Sequence, residues 1–310
     1  MREKLFGCYV AIVTPFQKQG DRVNHPINYD SLDRFVNHII LEGVDGVVVS
    51  GCTGVDSLLS PDKQVELVKY VKSKFGHLTK VIAGDGANST REAIELAQRM
   101  EEEAEVYTHL SISPYKNKPS DRGIIEHFTT IADNIEGKLI LYSVPSRTGG
   151  KGIHPDVAEK LAEHKKIYAI KEASRDLERI RETIHKTKDK KFSVLSGDDN
   201  LTYQIIEAGG TGVISVAGNI VPRWISSLTK LALDKSYDDA SSLQLKLNSL
   251  YQALFPKAVL NKNPSPNPVM CYYALNKMGF EVGIPRLPLT EGEPYEQERM
   301  DKVLLDLGLS

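Results

Sequence analysis

The chain has 310 residues, 41% of them hydrophobic, which suffices for a large core of either one α/β barrel or two smaller domains. A formal net charge of -2 with scattered basic residues leaves no electrostatic footprint for nucleic acid or an anionic membrane and favours a small-molecule partner. Cys8, Cys52 and Cys271 lie far apart, with no CxxC or Cys/His cluster at metal-ligand spacing, so the pattern suggests neither a disulfide framework nor a zinc site, and a reducing compartment is expected.

Met1-Arg2-Glu3-Lys4 leads into a strand-like segment without a signal-peptide core, and no apolar stretch reaches the ~18 residues of a membrane span; the expected location is cytoplasmic. Short Val/Ile/Leu-rich runs then recur at 9–14, 45–50, 80–85, 106–113, 138–144, 167–173, 192–196 and 211–217. They are near-continuous rather than alternating, which predicts strands of a parallel sheet covered on both faces. Helix-period segments separate them, for example 61–75, with Ser60 as N-cap and Pro61 at the first helical position. Eight β-then-α units without a GxGxxG after the first strand predict a (β/α)₈ barrel over 1–235 rather than a doubly wound sheet. From 236 to 310 the strand signal stops. Helices are predicted at 237–255, 268–278 and 293–308 around a proline-rich loop, Asn263 to Pro268, as an extension too poor in apolar surface to fold alone. His109 is expected near the core in a structural role, since no cysteine or carboxylate stands at ligand spacing, and Trp224 is expected to begin a helix and pack.

Catalytic groups of such a barrel sit at the carboxyl ends of the strands. The second strand presents Ser50-Gly51-Cys52-Thr53-Gly54, a tight turn whose N–H groups and Thr53 hydroxyl suit a carboxylate, although many βα turns favour Gly and Thr. The fourth ends in the rigid polar loop Ser113-Pro114-Tyr115-Lys116-Asn117. The fifth presents Tyr142 and Arg147, a phenol able to relay protons and a planar fork for a carboxylate. The sixth ends Ile170-Lys171-Glu172-Ala173. A lysine in an apolar run either pairs with Glu172 or reaches the rim, or it is a Schiff-base amine whose pKa is lowered by burial. Backbone groups of Ser196-Gly197-Asp198-Asp199 and Gly212-Val213-Ile214-Ser215 are placed to line the pocket.

The GCTG turn, YSVPSRTG, IKEAS, SGDD and GVISVAGN, in this order over nearly the whole chain, resemble the dihydrodipicolinate synthase and N-acetylneuraminate lyase family of class I aldolases. The resemblance implies that Lys171 forms an imine with pyruvate, Tyr142 shuttles protons, Thr53 helps hold the pyruvate carboxylate, Arg147 binds the carboxylate of an aldehyde substrate, and the backbones of Gly197 and Ile214 complete the pocket. It implies no metal or organic cofactor beyond the covalent imine, and a homotetramer built as a dimer of dimers with facing active sites. Within the family, the SRTG loop points to the members that condense pyruvate with aspartate semialdehyde in lysine and diaminopimelate biosynthesis. Other pyruvate-dependent aldolases, acting on sugar acids or hydroxy-oxo acids, and a ligand sensor without turnover are the competing readings.

Three positions depart from the family pattern. Cys52 stands where the relay has a threonine, Lys116 where it has a tyrosine delivered by the neighbouring subunit, and Val55 where the turn has a glutamate. A thiol still donates weakly, whereas an ammonium does not imitate a phenol. Tyr115 turning inward, a relay through water, and a different second substrate held by Lys116 are the three ways to accommodate this; a changed assembly is a further one. Asn88, Glu92 and Tyr115 match the family's lysine-binding positions, but its two histidine positions hold Pro61 and Gln64. Feedback by lysine is therefore expected to be weak or absent, and strong inhibition in a lysine titration would contradict that.

Overall fold

The structure, a computed structural model, describes residues 4–18, 21–257 and 263–309. Met1, Arg2 and Glu3 of the predicted N-terminal lead therefore fall outside the described residues. Eight strands, β1 (Gly7–Ala11), β2 (Gly46–Val49), β3 (Lys80–Gly84), β4 (Thr108–Ile112), β5 (Lys138–Ser143), β6 (Ile167–Glu172), β7 (Ser193–Ser196) and β8 (Gly212–Ser215), pair in parallel in sequence order. The sheet closes where Cys8 and Tyr9 of β1 stand opposite Val213 and Ile214 of β8. Helices α1 (Tyr29–Leu41), α2 (Pro61–Phe75), α3 (Thr90–Ala104), α4 (Asp121–Asn134), α5 (Pro155–Leu161), α6 (Leu177–Thr187), α7 (Thr202–Glu207) and α8 (Pro222–Leu233) follow the strands in turn.

The strands read as unbroken apolar runs because both of their faces are buried. Tyr9, Val48, Ile82, Leu110, Ile140, Leu195 and Ile214 fill the barrel interior. Their neighbours Val10, Val47, Val81, Leu139 and Val194 point outward and pack under the helices. Each such side chain contributes roughly 1.5–3 kcal/mol by leaving water. Helix α2 starts as its sequence requires, with the Ser60 hydroxyl accepting the Lys63 N–H at 3.3 Å and Pro61 needing no donor in the first turn.

Four further helices, α9 (Tyr237–Lys246), α10 (Asn248–Leu254), α11 (Val269–Lys277) and α12 (Pro294–Asp306), follow the barrel. Leu250, Tyr251, Met270, Tyr272 and Leu304 share one apolar cluster with Val10, Phe16 and Phe35 of the barrel. The Tyr272 hydroxyl donates to the Thr14 carbonyl at 2.6 Å, tying α11 to the end of the first strand segment. Trp224 lies in the first turn of α8, packs against that cluster and carries Lys246 Nζ 4.7 Å above its ring. No helix among the described residues is long and apolar enough to cross a membrane.

His109 is fully buried, as its place in β4 predicts, but the expectation that no carboxylate accompanies it is wrong. Its ring faces outward from the sheet. Nδ1 contacts Asp85 Oδ2 at 2.5 Å and Nε2 contacts Glu101 Oε1 of α3 at 3.1 Å. Glu101 also accepts the backbone N–H groups of Glu136 and Gly137 at 2.9 and 2.6 Å. The partners were invisible in the sequence because β3, β4 and α3 bring them together through tertiary packing.

Candidate active site

Lys171 is the inward residue near the end of β6, only 4% exposed. Adjacent strand residues point to opposite faces, so Glu172 turns to the outer face, where it accepts the N–H of Ser174 in the following loop at 2.8 Å, and the expected alternative of a Lys171–Glu172 pair is not realised. In the register of β5 and β6, Tyr142 stands beside Lys171, whose Nζ lies 4.4 Å from the centre of the phenol ring. Burial pulls the amine from its ordinary 10.5 to about 8; Cys52 and Asp199 pull the other way, and the Arg147 charge adds to the lowering. Gly197 packs against the lysine stem. A Cβ there would sit 2.8 Å from Ala173 Cβ and 3.0 Å from Lys171 Cγ, so a side chain would displace the amine.

The turn after β2 supplies the opposite wall. Cys52–Gly54 forms one short 3₁₀ turn and Asp56–Leu58 a second, hinged at Val55, whose φ of 53° lies in the left-handed region. For a β-branched residue that costs on the order of 1–3 kcal/mol, and it reverses the chain so that Asp56 returns to the cavity. Thr53 is buried, and its hydroxyl accepts Asn267 Nδ2 at 3.2 Å. The Asn267 carbonyl in turn accepts Arg147 Nη2 at 3.2 Å. Asn267 was missed by sequence reasoning. Its only local signal was its place in the rigid proline-rich loop, more than two hundred residues from Thr53.

Burial raises the Cys52 thiol to about 11, with the Asp56 charge adding to the effect and Arg147 and Lys171 opposing it. Burial likewise holds Tyr142 well above the ordinary phenol range, reinforced by Cys52. Asp56 is also raised, by burial first, against the Ser57 N–H and Arg147.

Two cavities result, with Cys52, Asp56, Gly86 and Ile112 in the walls of both. The inner one, about 10 Å³, is walled by Thr53, Cys52, Asp56, Tyr142 and Lys171. The outer one, about 510 Å³, is bordered by Cys52, Asp56, Glu92, Tyr115 and Arg147. The structure thus gathers Lys171, Tyr142, Thr53 and Cys52 at the inner cavity, and Arg147 and Tyr115 at the outer. Tyr115, 37% exposed, does not border the inner cavity. Lys116, with φ 67°, is exposed and borders neither. Ile214 packs inside the barrel, opposite Tyr9, and is not among the residues walling the inner cavity. The paired aspartates after β7 have framework contacts: Asp198 pairs with Arg175 at 2.5 Å, and Asp199 accepts the Ser215 hydroxyl and the Val216 and Ala217 N–H groups at 3.0 and 2.9 Å. Among the described residues no cluster of His, Cys, Asp and Glu is disposed to hold a metal ion.

Residues 4–306 match the model of the Dihydrodipicolinate synthetase family. The chain is 38% identical over 304 residues to a 4-hydroxy-tetrahydrodipicolinate synthase of Methanocaldococcus jannaschii, covering 98% of this chain and 99% of that protein. It is 37% identical over 310 residues to the enzyme of the same name from Acetivibrio thermocellus, covering 100% of both. Among solved structures it resembles the chloride-inhibited dihydrodipicolinate synthase from Acinetobacter baumannii complexed with pyruvate, with a TM-score of 0.90, 35% identity, and coverage of 98% of this chain and 99% of that one.

Proposed function

Because this chain belongs to the Dihydrodipicolinate synthetase family, we propose that it condenses pyruvate with L-aspartate 4-semialdehyde to 4-hydroxy-tetrahydrodipicolinate through an imine on Lys171. The observation that carries this reading is the buried amine beside a phenol at the ends of β5 and β6. An amine with a pKa of about 8 is partly neutral near physiological pH, so its lone pair attacks the pyruvate keto carbon. Loss of water gives the protonated imine, an electron sink that acidifies the pyruvate methyl group. Removal of one methyl proton gives the enamine, whose carbon attacks the aldehyde.

In this reading the Thr53 hydroxyl, oriented by Asn267, and the turn around it take the pyruvate carboxylate. Tyr142 moves protons at the reacting atoms. Arg147, at the outer cavity, takes the carboxylate of the aldehyde, which fits the larger space. Gly197 keeps the Lys171 stem in place. No metal or organic cofactor is required, and the assembly is a homotetramer of two dimers, with the exposed Tyr115–Lys116 loop at the subunit contact.

The test is borohydride reduction in the presence of pyruvate, with peptide mapping, alongside aspartate semialdehyde turnover. An adduct on Lys171 with turnover is expected. An adduct without turnover would transfer the chemistry to another aldehyde or to a sensor, and no adduct would remove the mechanism. Arg147→Ala is expected to lower kcat/KM for the carboxylate-bearing aldehyde by roughly 10- to 100-fold, the worth of one charged hydrogen-bonded contact, with the pyruvate adduct on Lys171 still formed. An equal loss with a neutral aldehyde would show that Arg147 does not read the carboxylate.

A further inference from the structure

Imine chemistry at Lys171 needs a proton carried from the pyruvate methyl group to water and another carried back. Two groups that share the inner cavity with the amine, Tyr142 and Cys52, are poorly suited to complete that journey. Tyr142 and Cys52 are both raised by burial far above neutral pH, so neither exists appreciably as its conjugate base. Each can only pass on a proton while receiving one, and the chain of transfers has to end on a group that exchanges readily with solvent.

Among the described residues Asp56 is the one carboxylate that borders both cavities. It follows the left-handed Val55, and Cys52 lines the same two cavities. Its Oδ1 accepts the Ser57 N–H at 2.8 Å, and among the described residues its other oxygen accepts no hydrogen bond. The groups around it are Cys52 on its own turn, Arg147 from the loop after β5, Tyr115 from the loop after β4, and Glu92 and Glu95 of α3 across the outer cavity. Tyr142 and Lys171 lie on its inner side. Arg99, the other cation at the outer cavity, is held by Glu103 and Asp62 at 2.7 and 2.9 Å. Asp56 therefore faces the reacting groups on one side and the open mouth on the other.

We propose, resting on the imine reading above, that Asp56 is the solvent end of a proton path that runs from the substrate through Tyr142 and Cys52. In the forward step the iminium loses one methyl proton to the Tyr142 oxygen as the phenol gives its own proton to the Cys52 sulfur. The thiol gives its proton to the Asp56 carboxylate, which releases it to water. The C–H electron pair becomes the enamine double bond. After the enamine carbon bonds to the aldehyde, the new alkoxide takes a proton from Tyr142, which is refilled through Cys52 and Asp56. One proton leaves and one returns. Burial, which raises the Asp56 pKa, brings the carboxyl closer to the pH at which it both accepts and releases a proton. Asp56 acts through its neighbours and does not touch the substrate.

The experiment is deuterium exchange into the pyruvate methyl group in D₂O, followed by proton NMR without any aldehyde, on the full chain and its Asp56→Asn and Asp56→Ala variants. Borohydride trapping at saturating pyruvate is run on the same samples. Trapping reads the amount of imine and exchange reads proton movement, so the two can fail separately. The expected result is trapping at the parent level in both variants, exchange slowed at least ~10-fold, and recovery of exchange in Asp56→Ala as formate is added. Exchange at the parent rate in either variant would overturn the proposal. So would slowed exchange that formate leaves unchanged, because a merely structural carboxylate would behave that way. Absence of trapping in the parent protein would instead remove the imine reading, and this inference with it.

Discussion

Lys171→Met is expected to abolish pyruvate trapping and to lower turnover by at least ~10³-fold, while making the folded protein more stable. The first effect follows from the loss of the one amine that, among the described residues, lines the inner cavity. The second follows from the same burial that activates it. Folding moves the Lys171 pKa from 10.5 to about 8, so the unfolded chain holds that proton more tightly than the folded one. The penalty is on the order of 3 kcal/mol at pH 7, and it fades as pH rises from about 8 to 10.5. Methionine fills a similar volume without a charge. Urea denaturation of parent and variant at pH 7 and pH 10 checks this. The stability difference should favour the variant at pH 7 and shrink at pH 10; a variant less stable at pH 7 would refute the account.

His109→Leu is expected to destabilise the fold by roughly 3–5 kcal/mol, because it leaves the buried carboxylates of Asp85 and Glu101 without their shared cation. Burial opposes the imidazolium charge, but Asp85, with Glu101, outweighs it and raises the ring from 6.5 to about 9. The sign follows directly. A cation whose pKa is raised by folding contributes fully below 6.5 and loses that contribution as pH climbs through about 9. Glu101 is held below the usual 4.5, burial resisting and His109 and two backbone N–H groups prevailing, so its contribution is present above 4.5 and fades as pH falls through its folded value. The triad therefore supports the fold most between about pH 4.5 and 6.5. Denaturant midpoints at pH 6 and pH 10 test it: the gap between parent and His109→Leu should narrow at pH 10, and a gap independent of pH would mean that the ring acts by packing alone.

Much of the barrel was legible because its signals are local. Helix α2 spans 61–75, the range its period and Ser60-Pro61 start predict, and seven of the eight apolar runs contain a strand, while the first, 9–14, overlaps β1, which begins earlier at Gly7 and ends at Ala11. The pairing of Tyr142 with Lys171 was legible too, since a parallel sheet with sequential strands sets the ends of neighbours side by side. Lys171 stood out because a lysine in an apolar run needs explaining, but that it faces inward rather than pairing with Glu172 or reaching the rim was settled only by the sheet, which turns Ile170 outward and Lys171 in. Asp56 was passed over because nothing in the sequence shows a valine taking a left-handed conformation. Asn267, which links Thr53 to Arg147, was out of reach for a different reason: its partners lie in the loops after β2 and β5.

The sequence by itself determined the repeating β-then-α pattern, the closed parallel sheet that this pattern favours, and the amine, phenol and guanidinium at its strand ends, because hydrophobic period and strand order act over short distances along the chain. Only the tertiary structure decided which carboxylates enclose His109, which loop clasps Thr53 and Arg147, and which acid stands between the inner cavity and water. Those outcomes depend on where loops and helices from distant parts of the chain are held in space, and on how far packing strips water from each charged group, neither of which is written in any local stretch of residues.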